Sequence, residues 1–333
     1  MRAVICHAWG AVESLKVEEV PAPVPAADEV LIDVRATSVN YADSIMVAGK
    51  YQTRPPFPFS PGLETAGVVA ACGARVTRFR PGDRVMATLG WGGLAEQAVA
   101  KESETFAIPE GMAFEEAGAF PIAYISSDVA IRWQGRLEAG ETLLVLGAAG
   151  GVGLSAVELG KAMGARVIAA CSTQEKVDLA IRHGADSGVV YGRGPFDRDG
   201  QKALGQLFKD ASGPNGADVI YDAVGGDYAE PALRSIAWEG RYLVIGFAAG
   251  EIPRIPLNLA LLKGCDIVGV FWGTWTQKNP GLFAHSIEEL LQMYASGKIK
   301  PYVSERFPLS KGAEAIAHLG SRQAMGKVVI TVD

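Results

Sequence analysis

The chain has 333 residues, 49% of them hydrophobic and 20% charged, with a formal net charge of -6. That length allows two domains with ample core, and a net negative charge without Lys/Arg clusters disfavours a nucleic-acid surface, because neutralising phosphates takes concentrated positive charge. No run approaches the roughly 20 apolar residues of a membrane helix, and the start Met1-Arg2-Ala3-Val4-Ile5-Cys6-His7 has no apolar leader core, so a cytoplasmic location is expected, with neither membrane nor nucleic acid as partner.

Up to about residue 115 the chain carries short β-prone runs at Glu29 to Ala36, Thr65 to Ala71, Arg84 to Ala87 and Gly93 to Ala100. Turn signals such as Pro81-Gly82-Asp83 and Pro109-Glu110-Gly111 separate them, which predicts an all-β, barrel-like module. The pattern then alternates. A helix is predicted over Phe114 to Gln134, strand Thr142 to Gly147, helix Val152 to Met163, strand Arg166 to Ala170, helix Gln174 to His183 and strand Ser187 to Tyr191. Gly192 to Gly200 reads as a loop. The rhythm resumes with strand Asp218 to Asp222, helix Tyr228 to Ile236, and strands Gly240 to Phe247 and Asp266 to Phe271. Six strands in βαβ order match two mononucleotide-binding halves of a parallel sheet. A helix near Phe283 to Ala295 precedes two short segments, Tyr302 to Pro308 and Gly326 to Val332, which read as strands rejoining the first module. The expected domains are therefore 1–115 with 297–333, and 116–296. The scattered cysteines Cys6, Cys72, Cys171 and Cys265 read as thiols of a reducing compartment.

The stretch with most chemistry is the apolar strand ending at Leu146, followed by Gly147-Ala148-Ala149-Gly150-Gly151-Val152-Gly153 and a helix. Glycines there permit a sharp turn, a close backbone approach to a pyrophosphate and tight helix–strand packing, while the first helical amides favour an anion. No Gly-Lys-Ser/Thr follows, so a triphosphatase is disfavoured. Ala148 to Gly153 are thus candidate dinucleotide contacts. Strand two ends at Ala170-Cys171-Ser172-Thr173 without the acidic residue that would bind a ribose 2′-hydroxyl. Ser172 and Lys176 suit a 2′-phosphate, which favours NADPH over NADH; alternatively Ser172 caps the next helix and Lys176 is a solvated charge. Tyr191 and Arg193 stand where the adenosine end would lie, or line the surface.

Three blocks carry a resemblance over nearly the whole chain. They are Ser38-Val39-Asn40-Tyr41-Ala42-Asp43 with Gly49-Lys50-Tyr51 and Pro61-Gly62-Leu63-Glu64; the turn at 147–153; and Gly225-Gly226, Val244-Ile245-Gly246-Phe247 and Gly326-Lys327-Val328-Val329. In this order they resemble the zinc-independent quinone oxidoreductase (zeta-crystallin-like) group of the medium-chain dehydrogenase/reductase superfamily, in which Ala148 would replace the first glycine of the common fingerprint. The resemblance implies an α/β fold, a Rossmann doubly wound parallel sheet plus a GroES-like β-barrel catalytic domain. It also implies NADPH as cofactor, a quinone or enone substrate, and a homodimer formed through the Rossmann sheet edge. Zinc dehydrogenases carry a Cys near Ser38 to Asn40 and a His before the glutamate matching Glu64; here Leu63 stands there, so no metal site is expected.

Without zinc, a conjugated acceptor is favoured, because it spreads the incoming charge over its own oxygen and needs mainly stacking and one or two hydrogen bonds. The matching positions imply that Asn40 contacts ribose or substrate and that Tyr51 faces the acceptor and aids proton delivery; a turn Asn and a packing Tyr are the plainer readings of the residues themselves. Gly246 and Phe247 would meet the nicotinamide. Phe271, after the sixth strand, would wall the pocket or pack at a subunit interface, and Lys327 would approach the cofactor phosphates. Tyr124 is a further cleft candidate or a buried helix aromatic. Two alternatives stay open: an enoyl-CoA or enone double-bond reductase, and an NADPH-binding crystallin-like structural protein.

Overall fold

The computed structural model describes residues 1–321 and 323–332. The chain forms two compact units, one made of Met1–Ile122 and the segment from Pro301 onwards, the other of Ala123–Lys300. In the first, Arg2–Ile5 (β1) and Lys16–Glu19 (β2) pair antiparallel. The long strand Glu29–Val39 (β3) runs into helix Tyr41–Val47 (α1), then come Glu64–Cys72 (β4), Arg84–Thr88 (β5), Gln97–Lys101 (β6), Thr105–Ala107 (β7) and helix Phe114–Gly118 (α2).

The single helix predicted over 114–134 is broken: α2 ends at Gly118, a new helix Pro121–Asp128 (α3) starts at a proline, and Val129–Gln134 follows as a π-helical turn. Proline has no N–H for the ladder and its ring clashes with the preceding turn, so it opens a helix rather than continuing one.

The second unit continues with Thr142–Leu146 (β8), Gly151–Ala162 (α4), Arg166–Cys171 (β9), Gln174–Arg182 (α5), Ser187–Val190 (β10) and Arg198–Ser212 (α6). Ala217–Asp222 (β11), Ala229–Arg234 (α7), Ile236–Val244 (β12), Asn258–Lys263 (α8), Asp266–Gly269 (β13), Trp272–Lys278 (α9) and Pro280–Ala295 (α10) complete it. Its six strands lie parallel in the order β10-β9-β8-β11-β12-β13. This is the doubly wound arrangement, with β8 central and Leu143, Leu144, Val145 and Leu146 fully buried; a strand covered on both faces reads as an unbroken apolar run.

Two elements differ from expectation. Helix α6 begins inside the segment read as a loop, capped by Asp197, whose Oδ1 accepts the Gly200 N–H at 2.8 Å. Its Leu204 and Phe208 are buried in the core. Strand β12 starts at Ile236 rather than Gly240, and Glu239 adopts a positive φ of 60° where the pairing with β11 shifts register.

Val303–Pro308 (β14), Gly312–Gly320 (α11) and Lys327–Thr331 (β15) return to the first unit. They extend a sheet of order β14-β15-β3-β4-β5-β7, with β6 also paired to β3. All four cysteines are free thiols. Among the described residues no helix is long and apolar enough to cross a membrane.

Candidate active site

Strand pairing in the first unit decides which side chains meet. β15 and β4 both run antiparallel to β3, with Val328 opposite Val39 and Ala66 opposite Ala36. Continued, that register sets Asn40 across from Lys327 and Ser38 across from Glu64. The C-terminal end of β3 thus lies beside the N-terminal ends of its neighbours, and residues far apart in sequence form one buried cluster.

Glu64 is its centre and is fully buried. Its Oε1 accepts from the Ser38 hydroxyl, from Asn40 Nδ2 at 2.9 Å and from Lys327 Nζ at 2.8 Å, and its Oε2 from the Ile122 amide at 2.8 Å. Lys327 Nζ also donates to Asn40 Oδ1 at 2.7 Å. The Asn40 amide is held at both ends: its oxygen faces an ammonium and its nitrogen a carboxylate, and turning it over would put like polarity against like. A buried carboxylate with four donors, one of them cationic, is fully satisfied; removing the cation would leave an uncompensated charge.

The second carboxylate is Asp43, also buried. One oxygen accepts the Asn40 N–H at 2.7 Å, closing the first turn of α1, and the other the Gly62 N–H at 2.9 Å. Burial pushes its carboxyl up to about 6, against the opposing pull of those amides and of Lys327. Tyr51 stands half-buried on the loop after α1. Burial, and then the nearby Asp43 charge, push its phenol above the usual range, so it stays protonated and able to donate. The structure therefore brings Asn40, Lys327 and Tyr51 into the neighbourhood of two carboxylates. Lys327, expected at cofactor phosphates, is instead 6% exposed with its ammonium committed to Glu64 and Asn40.

In the second unit the turn after β8 has the predicted character. Gly147 takes φ +72°, and a Cβ on Gly153 would lie 2.2 Å from the Gly147 carbonyl oxygen. Gly150 precedes Gly151, the first residue of α4, and a Cβ there would meet nothing nearer than 3.4 Å. Ala148 and Ala149 are buried beneath the turn and Val152 is half-buried at the helix start. The opening amides of α4 have no carbonyl one turn before them, the ordinary condition of an anion-binding helix end.

At the end of β9, Thr173 rather than Ser172 caps α5, its hydroxyl accepting the Lys176 N–H at 3.3 Å. The Ser172 side chain is thus not the cap. Burial, and after it the repulsion of Arg193, lower the Lys176 ammonium, so two cations face one region here. Tyr191 differs from expectation: it is buried in the core, its ring 4.8 Å from that of Tyr228 and 6.5 Å from that of Phe208. That packing, not a surface position, holds its ring. Phe247 is half-buried over Gly225, where a Cβ would come 2.9 Å from its Cδ1, and Gly246 adjoins it. Phe271 is 58% exposed at the start of α9, beyond the sheet edge. Tyr124 is 3% exposed and donates to Glu158 at 2.6 Å, so it is a buried helix aromatic.

Ser38, Asp43 and the Lys327–Glu64 pair were not singled out as a unit from sequence. The only local signal was the Asn40-x-x-Asp43 spacing of a helix cap; the rest depends on strand register across about 290 residues of chain. Metal-ligand chemistry does not fit this place: Ser38, Asn40 and Leu63 offer no thiolate or imidazole, and Glu64 is already matched by an ammonium. Among the described residues no group of three His, Cys, Asp or Glu stands close enough to hold a metal ion.

Comparison with known proteins agrees with the fold. Residues 26–110 match the alcohol dehydrogenase GroES-like domain model and residues 151–295 the zinc-binding dehydrogenase model; the donors around Glu64 do not suit the metal of the second name. A rat quinone oxidoreductase-like protein 2 is 36% identical over 99% of this chain and 92% of its own length. The NADPH complex of the Escherichia coli quinone oxidoreductase superposes with a TM-score of 0.90 at 25% identity, covering 99% of this chain and all of that one. A mycobacterial protein solved with NADPH gives 0.91 at 28% identity and 99% of both chains.

Proposed function

Because the chain belongs to the quinone oxidoreductase family of the medium-chain dehydrogenase/reductase superfamily, we propose that it is an NADPH-dependent, zinc-free reductase that delivers hydride to a quinone or another conjugated carbonyl. The observation carrying this reading is the Lys327 ammonium bound between Glu64 and Asn40. A carboxylate so neutralised has no charge left for a dication, and chemistry without a Lewis acid suits an acceptor that delocalises its own developing charge.

The chain's residues divide the work. The turn at 147–153 and the α4 amides receive the pyrophosphate, with glycine at 153 because no Cβ fits there. Lys176 and Arg193, with the Ser172 hydroxyl that does not cap α5, form a cationic end suited to a 2′-phosphate, and the strand end Ala170-Cys171-Ser172-Thr173 carries no carboxylate to repel it. Bound there, NADPH supplies the hydride. Asn40, with one amide hydrogen beyond the one given to Glu64, offers an oriented donor, and the protonated Tyr51 phenol holds the proton that follows the hydride.

Purified protein is expected to oxidise NADPH in the presence of a quinone, to prefer NADPH over NADH, and to keep its activity after chelation. Activity lost to a chelator and restored by zinc would overturn the zinc-free reading, and a crotonyl thioester run beside the quinone separates the double-bond reductase.

We infer further that two copies pair along β13. Before this edge strand, Trp238 packs against Gly264, and Trp238, Leu257, Leu261 and Leu262 are each more than 60% exposed; Phe271, after the strand, is 58% exposed, and exposed apolar side chains of this kind demand cover. Sedimentation of Leu261→Glu should show a shift toward monomer; an unchanged dimer would place the interface elsewhere.

A further inference from the structure

The parallel sheet of the second unit changes its winding direction once. From β8 the chain winds outward through β9 and β10, then returns to β11 and winds the other way through β12 and β13. In such a sheet a ligand sits outside the carboxyl ends of the two strands where the direction changes, here β8 and β11. Leu146, the last residue of β8, pairs with Asp222, the last residue of β11, and Asp222 pairs on its other side with Val244 at the end of β12. A carboxylate only 3% exposed thus stands at the switch point, in the strand end beside the glycine-rich turn.

Burying that group is unfavourable unless it is hydrogen-bonded, and its bonds point to its task. Asp222 Oδ1 accepts the Val224 and Gly225 amides at 2.8 and 2.9 Å, and Oδ2 accepts the Tyr242 hydroxyl. Tyr242 lies across from Ile220 and so shares a sheet face with Asp222, two residues further along β11. Its ring is 2% exposed, which leaves the hydroxyl one place to go. The Asp222 carbonyl also accepts the Ile245 and Gly246 amides at 3.0 and 3.3 Å. One residue therefore ties the turn after β11 to the chain leaving β12.

That junction touches the turns on both sides. Val224 Cγ2 lies 3.0 Å from where a Cβ on Gly147 would stand, and Phe247 Cδ1 lies 2.9 Å from the same position on Gly225. Tyr221 and Leu243, inside the strands, are fully buried, whereas Ala223, Val224, Gly246 and Phe247 are half-buried, so the outer side of the junction is open to a ligand.

We propose that Asp222 and Tyr242 are positioning residues for the nicotinamide half of the cofactor, fixing the 223–226 turn and the Gly246-Phe247 corner as the second wall of the dinucleotide crevice. The inference rests on the NADPH reading above and adds to it the pair that shapes one end of the site. Both side chains are buried and act through the backbone amides they hold. The adenosine end, at Ser172, Lys176 and Arg193, does not depend on them.

The two ends should therefore separate by experiment. Calorimetry compares NADPH with adenosine 2′,5′-bisphosphate, which has the adenosine end and lacks the nicotinamide, in the unaltered protein and in Tyr242→Phe, Asp222→Ala and Asp222→Asn. In Tyr242→Phe, NADPH affinity is expected to fall about five- to tenfold while that of the bisphosphate stays within about twofold. Asp222→Ala, which strands two amides as well, should lose more, and Asp222→Asn should recover most of that loss because its side-chain oxygen still accepts them. Tyr242→Phe removes one oxygen and keeps the ring, so it carries the test if Asp222→Ala fails to fold. Equal weakening of both ligands, the mark of a merely structural role, overturns the proposal, as does unchanged NADPH affinity in folded Tyr242→Phe. If the unaltered protein binds NADH and not NADPH, the NADPH reading falls instead, and the pair is judged by the same comparison of NADH with adenosine 5′-monophosphate; binding of neither dinucleotide overturns both.

Discussion

The dinucleotide turn of the second unit and the polar cluster of the first are built on opposite plans. The turn is made of backbone: within seven consecutive residues, glycines supply the φ angles and the absent Cβ atoms. The cluster is made of side chains contributed by positions 38, 40, 43, 64 and 327, brought together by strand register. A backbone site fails when atoms are added, and a side-chain site fails when charge is left unmatched.

The sharpest test of the first plan is Gly153→Val. Its Cβ would overlap the Gly147 carbonyl, which is backbone and cannot yield without unmaking the turn. NADPH affinity measured by calorimetry should fall by more than about 100-fold, with a lower Tm. Retained affinity would mean that the pyrophosphate is held elsewhere.

The second plan predicts an asymmetry. Lys327→Met strands the Glu64 carboxylate in the core and should cost about 3–5 kcal/mol in denaturant unfolding. Adding Glu64→Gln should recover much of it, because the leftover charge is gone. Equal losses in the single and double variants would show that packing, not charge balance, governs the cluster.

Asp43 gives a pH signature. Its carboxyl is raised from 3.8 to about 6 by burial, so between those values the folded protein binds the proton more tightly than the unfolded chain. The stability this provides is present below about pH 4 and is lost as pH rises through about 6, by at most about 3 kcal/mol. Asp43→Asn should remove that decline from the pH profile of unfolding, whatever it does to stability overall; an unaltered profile would assign the titration to another group.

The difference between the plans also explains what could be read in the chain. The six parallel strands and the turn were legible because the signals are local: an apolar run, then glycines. Helix α6 had a local signal too, Leu204, Leu207, Phe208 and Ala211 at helical spacing, but the Gly- and Pro-rich stretch before it masked its start. Asn40 and Tyr51 were reached through resemblance. The place of Lys327 was not reached at all: nothing near Lys327 in sequence says that β15 will lie beside β3 in the register that puts its ammonium on Glu64. Tyr191 shows the converse, a strand-end tyrosine that packs inward because Tyr228 and Phe208 offer it a core.

The smallest expected effect tests where the two plans meet, since cofactor choice joins a backbone cradle to side-chain charge. Burial, and after it the repulsion of Arg193, lower the Lys176 ammonium, and a dianionic 2′-phosphate would relieve that repulsion while NADH would not. Lys176→Ala and Arg193→Ala should each reduce the NADPH-over-NADH preference in kcat/KM by roughly tenfold, a loss the size of one charge-assisted hydrogen bond. The effect should shrink at high salt, because both side chains reach solvent. The double variant should lose less than the sum of the singles: with one cation gone, the other no longer pays the repulsion and binds the phosphate alone. Strict additivity would mean that the two charges act on different parts of the cofactor.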